Sequence, residues 1–303
     1  MMNMKRSENN PKRITLKRKD DYSFYALVAP AFVLLFALTV VPILFSLIIS
    51  FFNFKFTQMN NIRFAGFDNF IRAFQDRNFR ESVRTTIIQV VTTVSGQMIL
   101  GMAAALLLSR EGRLIRILRS LYIIPMMITP IVTGLMFRMM FNADMGIFNY
   151  LLSLIGISPV NWLGDGRNAL ITVIVTDIWL STPFVTMILM AGVQSVSQDY
   201  YDAAIIDGVN GIQQFFYITV PLIKPMILLA LLFRIMDAIR RYDSIMAMTA
   251  GGPGTATQTL NIYSYYQGFS YYSIGYSSAL SLIMLIIIFS ISLVLLKRIQ
   301  SSD

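Results

Sequence analysis

The sequence has no cysteine and no histidine, and only 14% of its 303 residues are charged. Without cysteine there is no disulfide and no thiolate metal site. Without histidine the usual proton shuttle and the usual metal ligand are both missing. No nucleophile–base pair can be built on either residue, and no carboxylate cluster at metal-ligand spacing replaces them. An enzyme and a resident metal are therefore not expected. The charge deficit excludes more. Soluble domains carry about 25% charged residues, and a chain this long cannot cover a soluble surface with so few. Disorder and a collagen-like repeat are excluded by the 55% hydrophobic content and the 17 glycines. What remains is an all-α integral membrane protein.

The charges that are present are unevenly placed. The net charge is +9, and seven Lys/Arg lie in the first 19 residues. Four more, Arg110, Arg113, Arg116 and Arg119, share one short stretch, and Lys297 and Arg298 follow the last apolar run. Basic residues flanking apolar spans set membrane orientation, so nucleic acid is not expected as a partner. Residues 1–23 read as a basic cytoplasmic tail. The uncharged run 24–54 is about twice the length of a signal-peptide core and reads as the first span, with kink positions at Pro30 and Pro42. Residues 55–84 are mixed polar. Phe67, Phe70, Ile71 and Phe74 recur there at helical spacing, which predicts an amphipathic segment at the outer membrane surface.

Five further spans are expected within 85–298: Thr85 to Ser109, Ser120 to Phe141, Asn168 to Val196, Val220 to about Met248, and Ser277 to Leu296. A short helix is expected at Phe148 to Ile155, inside the glycine-rich stretch 143–167. The six tyrosines of 260–276 have the pattern of an interfacial aromatic belt. Six spans with a basic N-terminal end inside put both termini in the cytoplasm, together with 109–119 and 197–219. The 55–84 segment then lies outside despite six Lys/Arg, outvoted by the tail and the 109–119 loop.

The 197–219 stretch carries the most specific pattern. It reads Asp202-Ala203-Ala204, three residues, Gly208, nine residues, then Ile218-Thr219-Val220-Pro221. Small helix-forming alanines precede a glycine that permits a sharp helix end. Phe215, Phe216 and Ile218 supply apolar surface, and Pro221 marks entry to the next span. This resembles the EAA motif of ABC importer permeases, with Asp202 for Glu and Val220 for Leu. A second stretch, Tyr242-Asp243 followed by Met248-Thr249-Ala250-Gly251-Gly252-Pro253, is similar to the carbohydrate permeases related to the maltose importer. So is Phe64-Ala-Gly-Phe67-Asp68-Asn69-Phe70.

The resemblance implies a type I importer permease fold in a bacterial inner membrane, forming half of a path for a sugar or oligosaccharide. It implies a second homologous permease, two ATPase subunits and an extracytoplasmic solute-binding protein as partners, with Asp202, Ala203, Ala204, Asp207, Gly208, Phe215, Ile218 and Pro221 at the ATPase contact. The sequence has no Gly-x-x-x-x-Gly-Lys-Ser/Thr loop. No cofactor is expected on this chain, and ATP and Mg would sit on the partner ATPase.

A charge in the centre of a membrane helix costs about 2.5–3.5 kcal/mol, yet Arg234, Asp237, Arg240, Arg241 and Asp243 crowd the fifth span. They are expected to face a bundle interior, a water-filled cavity or the outer interface. Spacings of three (Arg234, Asp237) and four (Asp237, Arg241) allow pairs on one helix, and Asp177 is a further partner. Two readings stand at this stage: a polar path for cargo hydroxyls, with Trp179 and Tyr242 as ring platforms, or pairing that holds helices together. Three arginines also leave room for a polyol, a phosphorylated polyol or an acidic oligosaccharide as cargo. A self-contained secondary transporter fits less well, since neither a histidine relay nor internal repeats are visible.

Overall fold

The computed structural model describes residues 20–301, so the expected tail falls largely outside the described residues. The chain divides into two compact units, 1–48 and 49–303. The first is essentially one helix, α1 (Asp20–Ile49), which passes through Pro30 and Pro42. Phe32, Leu35 and Leu38 along it are exposed, as a lipid-facing helix requires.

The apolar run continues to residue 54, but the helix stops at Ile49. Phe52–Asn53 (β1) pairs antiparallel with Arg63–Phe64 (β2), and Phe56–Asn61 forms a 3-10 turn between them. The cause is Asn69, on α2 (Asp68–Gln75). Its amide donates to the carbonyls of Ser50 at 2.8 Å and Phe52 at 2.9 Å. Apolarity predicts insertion, not backbone path, and here a side-chain amide decides the path. The hairpin lies against Gly275, where a Cβ would come within 2.1 Å of the Phe52 carbonyl oxygen.

α2 is the expected amphipathic segment, turned inside out. Asn69 and Ala73 are buried, while Phe67, Ile71 and Phe74 are exposed. A soluble helix would do the reverse; an interfacial helix shows this pattern. The segment is shorter than 55–84, because α3 (Arg77–Leu108) starts at once. Asp76 caps it, accepting from the Asn78 N–H at 2.9 Å.

Four helices are long and apolar enough to cross a membrane unbroken: α1, α3, α7 (Gly166–Ser195) and α14 (Ile274–Gln300). Two further helix pairs are bent at a short break, and counting each pair as one span gives six among the described residues. The first pair is α4 (Arg113–Met127) with α5 (Pro130–Met140), bent by 94°. The sequence reads as one span there, but Pro130 forces Thr129 out of the helical region, to ψ 142°. The second pair is Gly211–Leu222 with α11 (Lys224–Ile239), bent by 71°. The expected fifth span is also cut at its far end, where α11 stops before α12 (Asp243–Thr249) begins. α6 (Ile147–Leu154) is the expected short helix.

α3 and α7 run parallel, with Gly96 against Ile178 and Gly101 against Val185. Ala105, Val185, Leu189 and Ala230 pack towards the Ser109 end. Phe79, Leu260, Tyr263, Tyr276 and Leu280 pack at the opposite, Asp76 end, where α13 (Leu260–Tyr265) lies. The expected aromatic belt is only partly one. Tyr271 and Tyr272 are exposed, but Tyr263 and Tyr276 are buried and both donate their hydroxyls to Asp76, Tyr276 at 3.0 Å.

Candidate functional site

Two clusters carry the candidate residues. The first is the 197–219 stretch, which is mostly helical rather than loop. Ser197 caps α8 (Gln198–Ile206). Asp202 and Ala203 are exposed and Ala204 is buried, so the motif presents one face and packs the other. The Gln198 amide donates to Asp202 at 3.2 Å. Asp207 ends the helix, and Gly208 follows at φ +73°. The Gly208 N–H donates to the Ile205 carbonyl at 3.1 Å and the Val209 N–H to that of Ala204 at 2.9 Å, which closes the helix end. Asn210 then opens α9 (Gly211–Gln214) with a reciprocal cap to Gln213.

A π-helical turn, Phe215–Thr219, and a single turn, α10 (Val220–Leu222), containing Pro221, lead into α11. The Tyr201 hydroxyl lies 3.0 Å from Thr219 Oγ1 and ties α8 to this turn. Phe215 and Ile218 are half-buried. The outward apolar surface comes instead from Ile206, Ile212, Phe216 and Tyr217, which are 86, 73, 61 and 78% exposed. The signal for these was four large apolar residues in a stretch expected to face water.

Phe215 and Tyr201 line a cavity of about 1550 Å3 whose other wall is Arg110, Arg113, Arg116 and Arg119. Arg119 is committed to capping α3, donating to the carbonyls of Leu108 at 2.6 Å and Arg110 at 2.9 Å. Arg110, Arg113 and Arg116 have no carboxylate partner among the described residues. The cavity is basic on one side, with Glu111 beside the arginines, and mixed polar and apolar on the other, where Gln198 and Gln214 join Ile205 and Phe215.

The second cluster sits between α3, α7 and α11. Arg234 and Asp177 are 2% and 1% exposed and 3.7 Å apart. Arg234 Nε donates to Gln97 at 2.8 Å, and the Gln97 amide donates to the Asp177 carbonyl at 3.0 Å. Arg234 also pairs with Asp237 at 3.2 Å, as its spacing predicts. The expected Asp237–Arg241 pair does not form. α11 stops at Ile239, so Arg241 leaves the helical register and reaches Asp177 at 2.9 Å and Ser181 at 3.1 Å. Asp237 takes Arg240 instead, at 3.3 Å. Asp177, Gln97 and Ser181 complete the network. Asp177 was visible in sequence as an isolated charge in a span; Gln97 and Ser181 carried no distinguishing signal.

Arg234, Arg241, Asp177 and Asp237 balance, two positive and two negative. Asp237 is exposed, so the buried part, Arg234 and Arg241 on Asp177, carries one excess positive charge, and removing Asp177 would strand charge in the membrane interior. Asp237, Arg240 and Asp243 are exposed. Trp179 stands apart from the network, packing on Phe137 at 5.2 Å between ring centres. The Tyr242 ring meets Tyr265 at 5.0 Å, which stacks on Phe269 at 5.0 Å.

Residues 97–301 match the sequence profile of the binding-protein-dependent transport system inner membrane component family. The chain belongs to this family. A trehalose/maltose transport system permease protein, MalF, of Thermococcus litoralis is 34% identical over 93% of this permease and 95% of its own length. A sulfoquinovosyl glycerol transport system permease, SmoG, of Agrobacterium fabrum is 33% identical over 91% of the permease and 90% of the relative. In solved structures, a chain of a bacterial ABC transporter involved in import of the acidic polysaccharide alginate superimposes with a TM-score of 0.80. It is 19% identical, covering 93% of the permease and 96% of that chain. The permease thus has the fold of importer transmembrane subunits, and it is a transport component rather than an enzyme.

Proposed function

We propose that this permease forms half of the membrane path of an ATP-driven importer for a sugar or oligosaccharide. Its Ser109 end faces the bacterial cytoplasm, with both termini on that side. ATP and Mg bind a separate pair of ATPase subunits, a second homologous permease completes the path, and a solute-binding protein delivers cargo from outside. The carbohydrate assignment is supported by relatives described as trehalose/maltose and sulfoquinovosyl glycerol permeases.

The observation that carries the ATPase contact is the apolar patch of Ile206, Ile212, Phe216 and Tyr217, presented beyond a rigid, doubly capped turn. Exposed apolar side chains in a water-facing turn mark a protein interface. Tyr201 and the π-helical turn join that turn to α11, and α11 carries Arg234 and Asp237. Movement of the patch is therefore delivered to the ion cluster. Cargo meets the accessible polar face, Asp237, Arg240, Asp243 and Tyr242, while Arg234, Asp177 and Arg241 hold α7 to the end of α11.

The test is reconstitution in liposomes. The permeases with their ATPases and binding protein should take up labelled sugar in the presence of ATP; either permease alone should not. Uptake by this chain alone, driven by a pH gradient, would overturn the reading.

A further inference from the structure

A second cavity, of about 570 Å3, opens at the Asp76 end, away from the ion cluster. Lys55 from the hairpin, Arg72 from α2, Asn78 from α3, Gln258 from the loop before α13, and Gln267 and Tyr271 after it all line it. Its volume lies within the range of small-molecule sites, about 300–1,000 Å3.

Three features of the lining point to a ligand. The side-chain amides of Asn78, Gln258 and Gln267 make no hydrogen bond among the described residues. Gln267 is only 9% exposed, and it lines the cavity with its amide open to whatever fills it. Lys55 and Arg72 have no carboxylate partner among the described residues; the Arg72 guanidinium stacks over the Tyr276 ring at 4.3 Å. At this end Asp76 is taken up by the Tyr263 and Tyr276 hydroxyls, and Glu81 by Arg77 and by Thr255 of the lining, which donates to it at 3.4 Å. Finally, the Tyr271 ring is exposed at the rim.

We infer that this cavity is an outer staging site for one carboxylate-bearing sugar unit of the cargo. The amides supply donors and acceptors for hydroxyl groups, Tyr271 offers a face to the C–H side of the ring, and Lys55 with Arg72 take the carboxylate. The inference deepens the proposed carbohydrate import and rests on it. It also adds a second cationic locus: the buried arginines are engaged by Asp177, whereas Lys55 and Arg72 stand apart from them at the outer end.

The experiment uses the complete importer in nanodiscs, without the binding protein, titrated calorimetrically with trigalacturonate and with neutral maltotriose. Trigalacturonate should bind at least tenfold more tightly, and its affinity should fall with added salt. Lys55→Ala and Gln258→Ala, both at half-buried positions, should each weaken it about fivefold or more, as should Gln267→Leu. Equal binding of the two sugars, or unchanged affinity in Lys55→Ala and Gln258→Ala, overturns the inference. So does a result in which these variants lose only stimulation by the binding protein, since the surface would then be a protein dock. Carbohydrate uptake without trigalacturonate binding would overturn this inference alone; trigalacturonate binding in a complex that takes up no carbohydrate would overturn the import reading alone.

Discussion

Arg241 reaches Asp177 across two helices, Nη2 to Oδ1 at 2.9 Å, from a residue just beyond the end of α11. Asp177 thereby faces two guanidiniums, with Arg234 at 3.7 Å. Asp177→Asn would leave Arg241 without a carboxylate and Arg234 with only the exposed Asp237. Breaking a buried pair from one side costs about 3–5 kcal/mol, so the purified importer should melt several degrees lower. Adding Arg241→Gln should recover part of the loss, since the pair is coupled. Additive losses in that double-mutant cycle would show that the contact carries no coupling energy.

Gly208 tests the turn itself. Nothing lies within 4 Å of a Cβ built there, so any penalty is conformational. A β-branched residue held at φ +73° costs about 1–2 kcal/mol. Gly208→Val should displace the patch and uncouple ATP hydrolysis from uptake, leaving the spans folded. Gly208→Asn, which tolerates this region, should stay close to wild type. Uptake per ATP hydrolysed is the measurement.

The outward patch should be the anchor for the ATPase. Phe216→Ala and Tyr217→Ala are expected to cost more than 1 kcal/mol each in association, roughly tenfold in affinity for a 1.4 kcal/mol loss. Phe215→Ala, at a half-buried position, should affect stability more than association. Co-purification of the ATPase with each variant separates the two effects.

Asp76 predicts an acid limb. Burial pushes its carboxyl up, but hydrogen bonds from Tyr263, the Asn78 N–H, Tyr276 and the Phe79 N–H outweigh that and hold it below the ordinary carboxylate value. Burial, and then the bond to Asp76, pushes the Tyr263 hydroxyl upward. A carboxyl lowered on folding stabilises fully above its unfolded value, about 3.9. It loses that contribution as pH falls through the lower folded value. Melting temperature should therefore drop below about pH 4, and Asp76→Asn should flatten this limb while lowering stability at neutral pH.

Much of this was legible in the sequence because it depends on what the bilayer demands. The apolar runs located the spans, since unsatisfied backbone and charge are costly in lipid. The Asp202 to Pro221 spacing located a capped helical turn ahead of α11 because glycine and proline act locally. Backbone direction within an apolar stretch was not legible. Residues 50–54 look like more helix until Asn69 captures two of their carbonyls, and Arg241 looks like a helical neighbour of Asp237 until α11 ends. The partners of Arg234 and Asp76 come from helices far apart in sequence, and one chain carries no periodic trace of such pairings. Phe216 was readable as outward apolar surface, but so were Phe215 and Ile218, which the π-helical turn half-buries, and Ile206 was not singled out.

The 71° elbow at the start of α11 has a mechanical meaning. The 16 residues of α11 make an arm about 24 Å long at 1.5 Å per residue, and the turn tied on by Tyr201 is its short handle. At such an angle, a push along the handle becomes almost entirely sideways sweep of the arm. In the proposed import cycle the segment would work as a crank whose far end is latched by Asp177, so that a modest stroke at the 197–219 end would swing the arm once that latch let go.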